Sequence, residues 1–297
     1  MNPITINSPK AWLLAARPKT LTGALIPVMV GSALAFSDGL FNWFPALVCA
    51  LFACLMQIAA NFINDLFDFL KGADRSDRLG PERACAQGWI TANAMKTGIF
   101  LTVSLACALG CTLLFYGGWE LIIVGVVCVV FAFLYTAGPY PLSYNGWGDV
   151  LVLLFFGFIP VGGTYHVQAL TITPQVLVAS LICGITIDTL LVVNNYRDRE
   201  ADKESGKRTI IVRLGEPFGR YLYLALGLAA AGCCLLFLIW GYHYAAWLPQ
   251  LYIIPHILTW QKMSKIRSGK KLNSILGETS RNMLLIGLLL TIGLALN

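Results

Sequence analysis

The chain of 297 residues is 57% hydrophobic and 12% charged, with a formal net charge of +6 and a mean hydropathy of +0.71. Soluble globular chains carry about 25% charged residues, so this composition excludes a water-exposed globular surface and makes the bilayer the expected solvent. The stretch 1–17 has no short apolar core followed by a small-residue cleavage site, and so does not read as a removable signal peptide.

Crossing the hydrocarbon core takes about 20 apolar residues in a helix. Nine runs qualify, near 21–37, 43–63, 97–116, 119–137, 149–169, 175–194, 220–240, 244–261 and 280–296. Pro27, Pro160, Pro249 and Pro255 predict kinks, tolerable where neighbouring helices satisfy the freed carbonyls. All 21 Lys and Arg fall before the first run or in the second–third, sixth–seventh and eighth–ninth connections. With nine spans these segments share one side, and the positive-inside rule places that side, with the N-terminus, in the cytoplasm. Trp43, Trp119 and Trp240 then mark outer helix ends and Trp147 and Trp260 inner ones, an interfacial aromatic belt. The nine cysteines are odd in number and lack zinc-like spacing, so they read as small buried hydrophobes. Three scattered histidines argue against a histidine-built metal site. The expected architecture is a single all-α, polytopic membrane domain over 1–297.

Two span ends on the basic side carry matching clusters about 130 residues apart: Asn64-Asp65-Leu66-Phe67-Asp68 and Asn194-Asn195-Tyr196-Arg197-Asp198. Gln57, Asn61, Asn64/Asp65 and Asp68 recur at three- and four-residue steps, so they share a helical face. Asp188, Asn194/Asn195, Asp198 and Asp202 do so on span six, followed by Lys207 and Arg208. The match suggests two related four-helix halves plus a ninth helix, with both clusters meeting on one face of the bundle. Carboxylates about 5 Å apart repel by roughly 3 kcal/mol at an effective dielectric of 20. Asp68, Asp198 and Asp202, with Asp65 and Asp74 nearby, therefore call for protons or a cation. Oxygen-only ligands select a hard ion, and Mg2+ takes one or two carboxylates together with substrate phosphate. Arg and Lys clamp the remaining phosphate oxygens. A diphosphate head on a long hydrocarbon tail suits such a place. Loop solvation is the competing reading, strongest for Arg199, Glu200, Lys203 and Glu204, and Gln57 and Asn61 also suit interhelical hydrogen bonding. Asp188, about two turns inside its span, is costly if charged and alone; it is protonated, paired with Arg17 or Lys19, or part of the cavity wall.

At these residues the chain resembles the UbiA-type membrane prenyltransferases, and among them the branch that prenylates dihydroxynaphthoate in menaquinone synthesis. The resemblance covers almost the whole length: Ala16-Arg17-Pro18-Lys19-Thr20-Leu21, Asn64-Asp65-x-x-Asp68-x-x-x-Gly72-x-Asp74, Asp77-Arg78-Leu79-Gly80-Pro81-x-Arg83, Tyr135-Thr136-x-Gly138-Pro139-Tyr140-Pro141-Leu142, Gly146, Gly148-Asp149, and Asn194-Asn195-x-Arg197-Asp198-x-x-x-Asp202-x-x-x-Gly206-Lys207-Arg208-Thr209 running on to Gly215. There are departures from the hydroxybenzoate branch. Its next aspartate is replaced by Gly72, with Asp74 as the substitute, and its Tyr-x-x-x-Lys pattern ends here in Tyr144 instead of lysine. The charge must then come from other loops.

The resemblance implies that Mg2+ on Asp68, Asp198, Asp202 and Asp74 binds an allylic polyprenyl diphosphate. It implies catalytic duty for Asp65 beside Asp68, Asp198 and Asp202. Arg78, Arg83, Lys207 and Arg208 would steady the developing charge, with Asn64, Asn194 and Asn195 at the same site. Gln57, Asn61, Arg17 and Lys19 would meet the aromatic acceptor, and Tyr135 and Tyr140 would cover the cavity. The product would be demethylmenaquinol, made with loss of carbon dioxide at the cytoplasmic face of a bacterial inner membrane. Rivals are 4-hydroxybenzoate or homogentisate as acceptor, and a transporter built from duplicated halves, although transporters place ionisable groups near the bilayer midplane. A CDP-alcohol phosphotransferase fits poorly because its Asp-Gly-x-x-Ala-Arg motif is absent.

Overall fold

The computed structural model describes residues 4–72 and 78–297, and every regular element among them is helical. In chain order these are α1 (Pro9–Ala16), α2 (Leu21–Ser37), α3 (Trp43–Leu70), α4 (Ala92–Thr112), α5 (Leu114–Gly117), α6 (Leu121–Leu134), α7 (Gly148–Val152), α8 (Ile159–Ala169), α9 (Pro174–Glu204), α10 (Ile210–Leu214), α11 (Glu216–Cys234), α12 (His243–Trp247), α13 (Ile253–Ile266) and α14 (Leu272–Ala295). A π-helical turn, Leu153–Phe158, joins α7 to α8.

Seven stretches among the described residues are long and apolar enough to cross a membrane: Pro9–Ser37, Trp43–Leu70, Ala92–Gly117, Gly148–Ala169, Pro174–Glu204, Glu216–Trp240 and Leu272–Ala295. The other two expected spans are shorter pieces. Run 119–137 contains only the 14 residues of α6. Run 244–261 is divided into α12, a 3-10 segment at Leu248–Tyr252 and α13, because Pro249 lacks the amide that would continue the helix. Large apolar side chains face outward along the bundle, Phe115 being 91% exposed and Ile123 68%. Such a surface is stable only against lipid, so the chain is an integral membrane protein.

Three of the long helices start at side-chain caps. Asn42 accepts from the Phe44 amide at α3, Thr91 from Ala94 at α4, and Thr173 from Val176 at α9, where Pro174 also supplies helical φ. The C-terminal ends position the site. Hydropathy places the second and sixth span ends at 63 and 194, but the helices run on to Leu70 and Glu204. Each stops at a glycine in the left-handed region, Gly72 (φ 68°) and Gly206 (φ 77°), where a Cβ would be strained. Between the hydropathy end and the glycine lie the polar residues of each cluster, held on helix. Helix α2 occupies the centre, packed against α3, α8, α9 and α14, while α3 pairs with α4 and α9 with α11. Ahead of it, α1 lays Trp12 against Phe62 of α3, ring centroids 5.3 Å apart.

Candidate active site

The end of α3 is a hub of buried polar contacts. Asn61 donates its amide to the Ala16 carbonyl and to Thr20 Oγ1, both at 3.0 Å, and accepts from Gln57 at 3.4 Å. It thereby holds the turn after α1, where Arg17 adopts a left-handed φ of 51°, a strained conformation of the kind found at functional sites. Arg17 lies 4.0 Å from Asp65. Asp65, 1% exposed, takes the backbone amides of Ala84 and Cys85 at 2.9 Å, one on each carboxylate oxygen. Both oxygens thus anchor the loop that carries Arg83. Asp65→Ala strips two buried donors of their acceptor, at about 1–3 kcal/mol each. The variant is expected to melt earlier in detergent and to bind substrate more weakly as the loop loosens; an unchanged Tm would refute the anchor.

One turn further on, Asp68 is 6% exposed and faces two groups: Arg83 at 2.9 Å and the Tyr144 hydroxyl at 3.3 Å. Asn64 accepts from the Thr136 hydroxyl, and the Thr136 carbonyl accepts from Lys71 Nζ at 2.5 Å. Lys71 lies over the Tyr144 ring, 4.9 Å from its centroid, and Lys207 lies over it at 4.8 Å. Lys207 in turn reaches Asp202 at 3.3 Å. The two acidic clusters therefore converge on one tyrosine ring, which two lysines from different segments both approach. Burial holds the Lys71 ammonium below its ordinary pKa, with Asp68 opposing the shift and the Lys207 charge adding to it.

On α9, Asp198 receives two hydrogen bonds from its neighbour Arg197, at 2.7 and 2.6 Å. The third guanidinium nitrogen of Arg197 donates to Asn273 Oδ1 at 2.9 Å, and Asn273 Nδ2 donates to the Leu79 carbonyl at 2.8 Å. The first turn of α14 thus pins the loop after α3 to the second cluster. Arg78 bonds the Pro81 carbonyl at 3.1 Å and lies within electrostatic range of Asp202. The Arg208 amide donates to the Tyr144 carbonyl at 2.7 Å. This approach is possible because Gly146 has no Cβ, which would sit 2.7 Å from the Arg208 carbonyl. Tyr135 is half-buried, within electrostatic range of Asp68, Asp149, Asp188 and Asp202.

Of the expected site residues, Asn64, Asp68, Arg83, Asp202 and Lys207 are joined by this network, and Asp198 is linked through Arg197 and Asn273 to the Leu79 carbonyl, in the loop that carries Arg78 and Arg83. Asn194 spends its amide on the Leu190 carbonyl of its own helix, and Asn195 is half-buried beside it. Lys19 and the Arg208 side chain are exposed, and Tyr140 is 60% exposed. Asp74 lies outside the described residues. Lys71, Thr136, Tyr144 and Asn273 were not foreseen. The one signal was Tyr144, standing where a related branch has lysine.

Among the described residues no three acidic, histidine or cysteine side chains gather into a closed metal site. Asp68, Asp198 and Asp202 each face a cation instead. Their donor set is oxygen alone, and their partners are side chains able to turn toward phosphate. That chemistry fits a hard divalent ion arriving with an anionic ligand.

This geometry meets known proteins at a single family. The chain belongs to the UbiA prenyltransferase family, whose model matches residues 24–276. It is 38% identical to the 1,4-dihydroxy-2-naphthoate octaprenyltransferase of Escherichia coli over 80% of this chain and 79% of that one. It is 34% identical to the protein of that name from Haemophilus influenzae, over 96% of each chain. In fold it is similar to a UbiA homolog from Archaeoglobus fulgidus solved with GPP and Mg2+, with a TM-score of 0.69 at 15% identity, covering 97% of this chain and 100% of that one. The apo UbiA homolog from Aeropyrum pernix gives 0.70 at 16% identity over 94% and 98% of the two chains.

Proposed function

We propose that this chain transfers a polyprenyl group from an allylic polyprenyl diphosphate to 1,4-dihydroxy-2-naphthoate, with release of diphosphate and carbon dioxide, to give demethylmenaquinol. The observation that carries the reading is the convergence of Asp68 and Asp202 on Tyr144, in a chain whose relatives bear that activity in their names. Asp68, Asp198 and Asp202, with Asp74, are the residues that would hold Mg2+. When bound, the ion supplies positive charge to the diphosphate leaving group.

The chain's own residues do the rest. Lys71 and Lys207 both stand over the Tyr144 ring, with Arg78, Arg83 and Arg208 around them, and together they bind the diphosphate and stabilise the charge it gains as the allylic C–O bond breaks. An arriving diphosphate also favours the charged form of Lys71, which burial disfavours. Asn64, Asn194 and Asn195 line the approach, and Asp65 keeps the Arg83 loop in place. The prenyl tail lies among apolar helices, where exclusion of water protects the allylic cation. Gln57, Asn61, Arg17 and Lys19 form the acceptor side, and Tyr135 and Tyr140 the cover. The membrane is the bacterial inner one, crossed nine times by a single domain of two related halves and a last helix, with the N-terminus and the site on the cytoplasmic face.

Purified protein in liposomes, given polyprenyl diphosphate and carboxyl-labelled dihydroxynaphthoate, is expected to release one labelled carbon dioxide per prenylated product. Excess chelator should abolish this and added Mg2+ restore it. Transfer without loss of label would move the acceptor to another aromatic acid; solute flux without transfer would favour a transporter.

A further inference from the structure

Asp188 lies inside α9, 4% exposed, and its Oδ1 has no hydrogen-bond partner among the described residues. Pairing with Arg17 or Lys19 was one of three readings open to it; Arg17 lies 4.0 Å from Asp65, and Lys19 is exposed. Asp188, Leu191, Asn195, Asp198 and Asp202 recur at steps of three and four residues and so share one face of the helix. At a rise of 1.5 Å per residue, Asp188 stands about 15 Å deeper than Asp198 along that face. Opposite it is the start of α7. A Cβ on Gly148 would lie 3.2 Å from Leu191 Cδ2 and 3.8 Å from the Tyr135 hydroxyl. The next residue, Asp149, also carries a buried oxygen, Oδ1, with no partner among the described residues. Tyr135 stands within electrostatic range of this deeper pair and of Asp68 and Asp202, so one side chain borders both the pair and the acidic clusters.

A buried carboxylate oxygen without a donor is costly inside a membrane and persists where a ligand brings the donor. The acid pair offers no cation to a diphosphate or to the acceptor's own carboxylate. It suits a neutral hydroxyl. Resting on the prenyl-transfer reading above, we propose that the Asp188 carboxylate receives the proton of the acceptor's phenolic hydroxyl next to the attacked carbon, and so turns that edge of the ring toward α9.

The step balances. The allylic C–O bond breaks and diphosphate leaves with its electron pair. The ring carbon bonds the allylic carbon while the hydroxyl proton passes to Asp188, leaving a ketone beside a carbon that carries both prenyl and carboxylate. That β-keto carboxylate loses carbon dioxide, and the resulting enolate oxygen takes the proton back from Asp188. No oxidant or net proton is needed.

The test is Asp188→Asn in the full-length protein with Mg2+, an isosteric change that keeps a polar group at the site. Its kcat/KM for dihydroxynaphthoate is expected to fall about 10²- to 10⁴-fold, the usual worth of a positioned acid–base group. Affinity for an unreactive S-polyprenyl thiolodiphosphate should stay unchanged, which also reports a folded site. Transfer within about threefold of wild type would overturn the proposal. So would a parallel loss of thiolodiphosphate affinity, which would make Asp188 merely structural. A wild-type protein that failed to prenylate dihydroxynaphthoate at all would instead overturn the functional reading, and this inference with it.

Discussion

Asp68→Asn and Asp198→Asn are each expected to lower prenyl transfer about a thousandfold, or ~4 kcal/mol of transition-state stabilisation, while the protein stays folded. Asparagine is the informative replacement because it keeps the shape that Arg83, Tyr144 and Arg197 contact. Alanine would take from the buried Arg83 its 2.9 Å partner and could cost several kcal/mol of stability on its own, confounding the readout. The two carboxylates sit on different helices, α3 and α9, so a double variant discriminates. If they serve one diphosphate as a unit, the double Asn variant should be little worse than either single one. Fully additive losses would indicate two independent tasks. Initial rates on monodisperse protein, with donor and acceptor varied separately, are the measurement.

The second large effect is expected at Tyr144. Lys71 and Lys207 both lie over its ring, and its hydroxyl meets Asp68. Tyr144→Phe keeps the ring and loses one hydrogen bond, worth about 1 kcal/mol, so the donor KM should rise only a few-fold. Tyr144→Ala removes both cation–π contacts, each worth about 0.5–2 kcal/mol, and frees two ammonium groups to splay apart. The donor KM is then expected to rise about 10- to 100-fold, with kcat less affected. Equal effects of Phe and Ala would mean that the hydroxyl, not the ring, organises the lysines.

Tyr144 also shows where sequence reading stopped. The loop between α6 and α7 offers no cation of its own, since no Lys or Arg lies between Lys96 and Arg197. It was clear that charge had to come from elsewhere. That it would be gathered over one aromatic ring was not, because Lys71 and Lys207 meet there only through tertiary contact. The acids were legible because they recur at helical spacing in two matching segments. Their helices were under-read for a physical reason: hydropathy marks where lipid ends, whereas backbone hydrogen bonding continues through polar residues until a glycine or proline stops it. Hence α3 and α9 run past the expected ends at 63 and 194, and Pro249 breaks what composition alone had joined. Asp65 could not be told from Asp68 in the sequence. Only the folded loop shows that one carboxylate receives amides while the other faces cations.

Asn273 ties these pieces in time as well as in space. It belongs to the final membrane helix, yet it joins the Leu79 carbonyl to Arg197, strapping the first motif's loop to the second motif's helix. During synthesis α3 and α9 both precede it. The strap across the candidate site therefore forms only once α14 has been made.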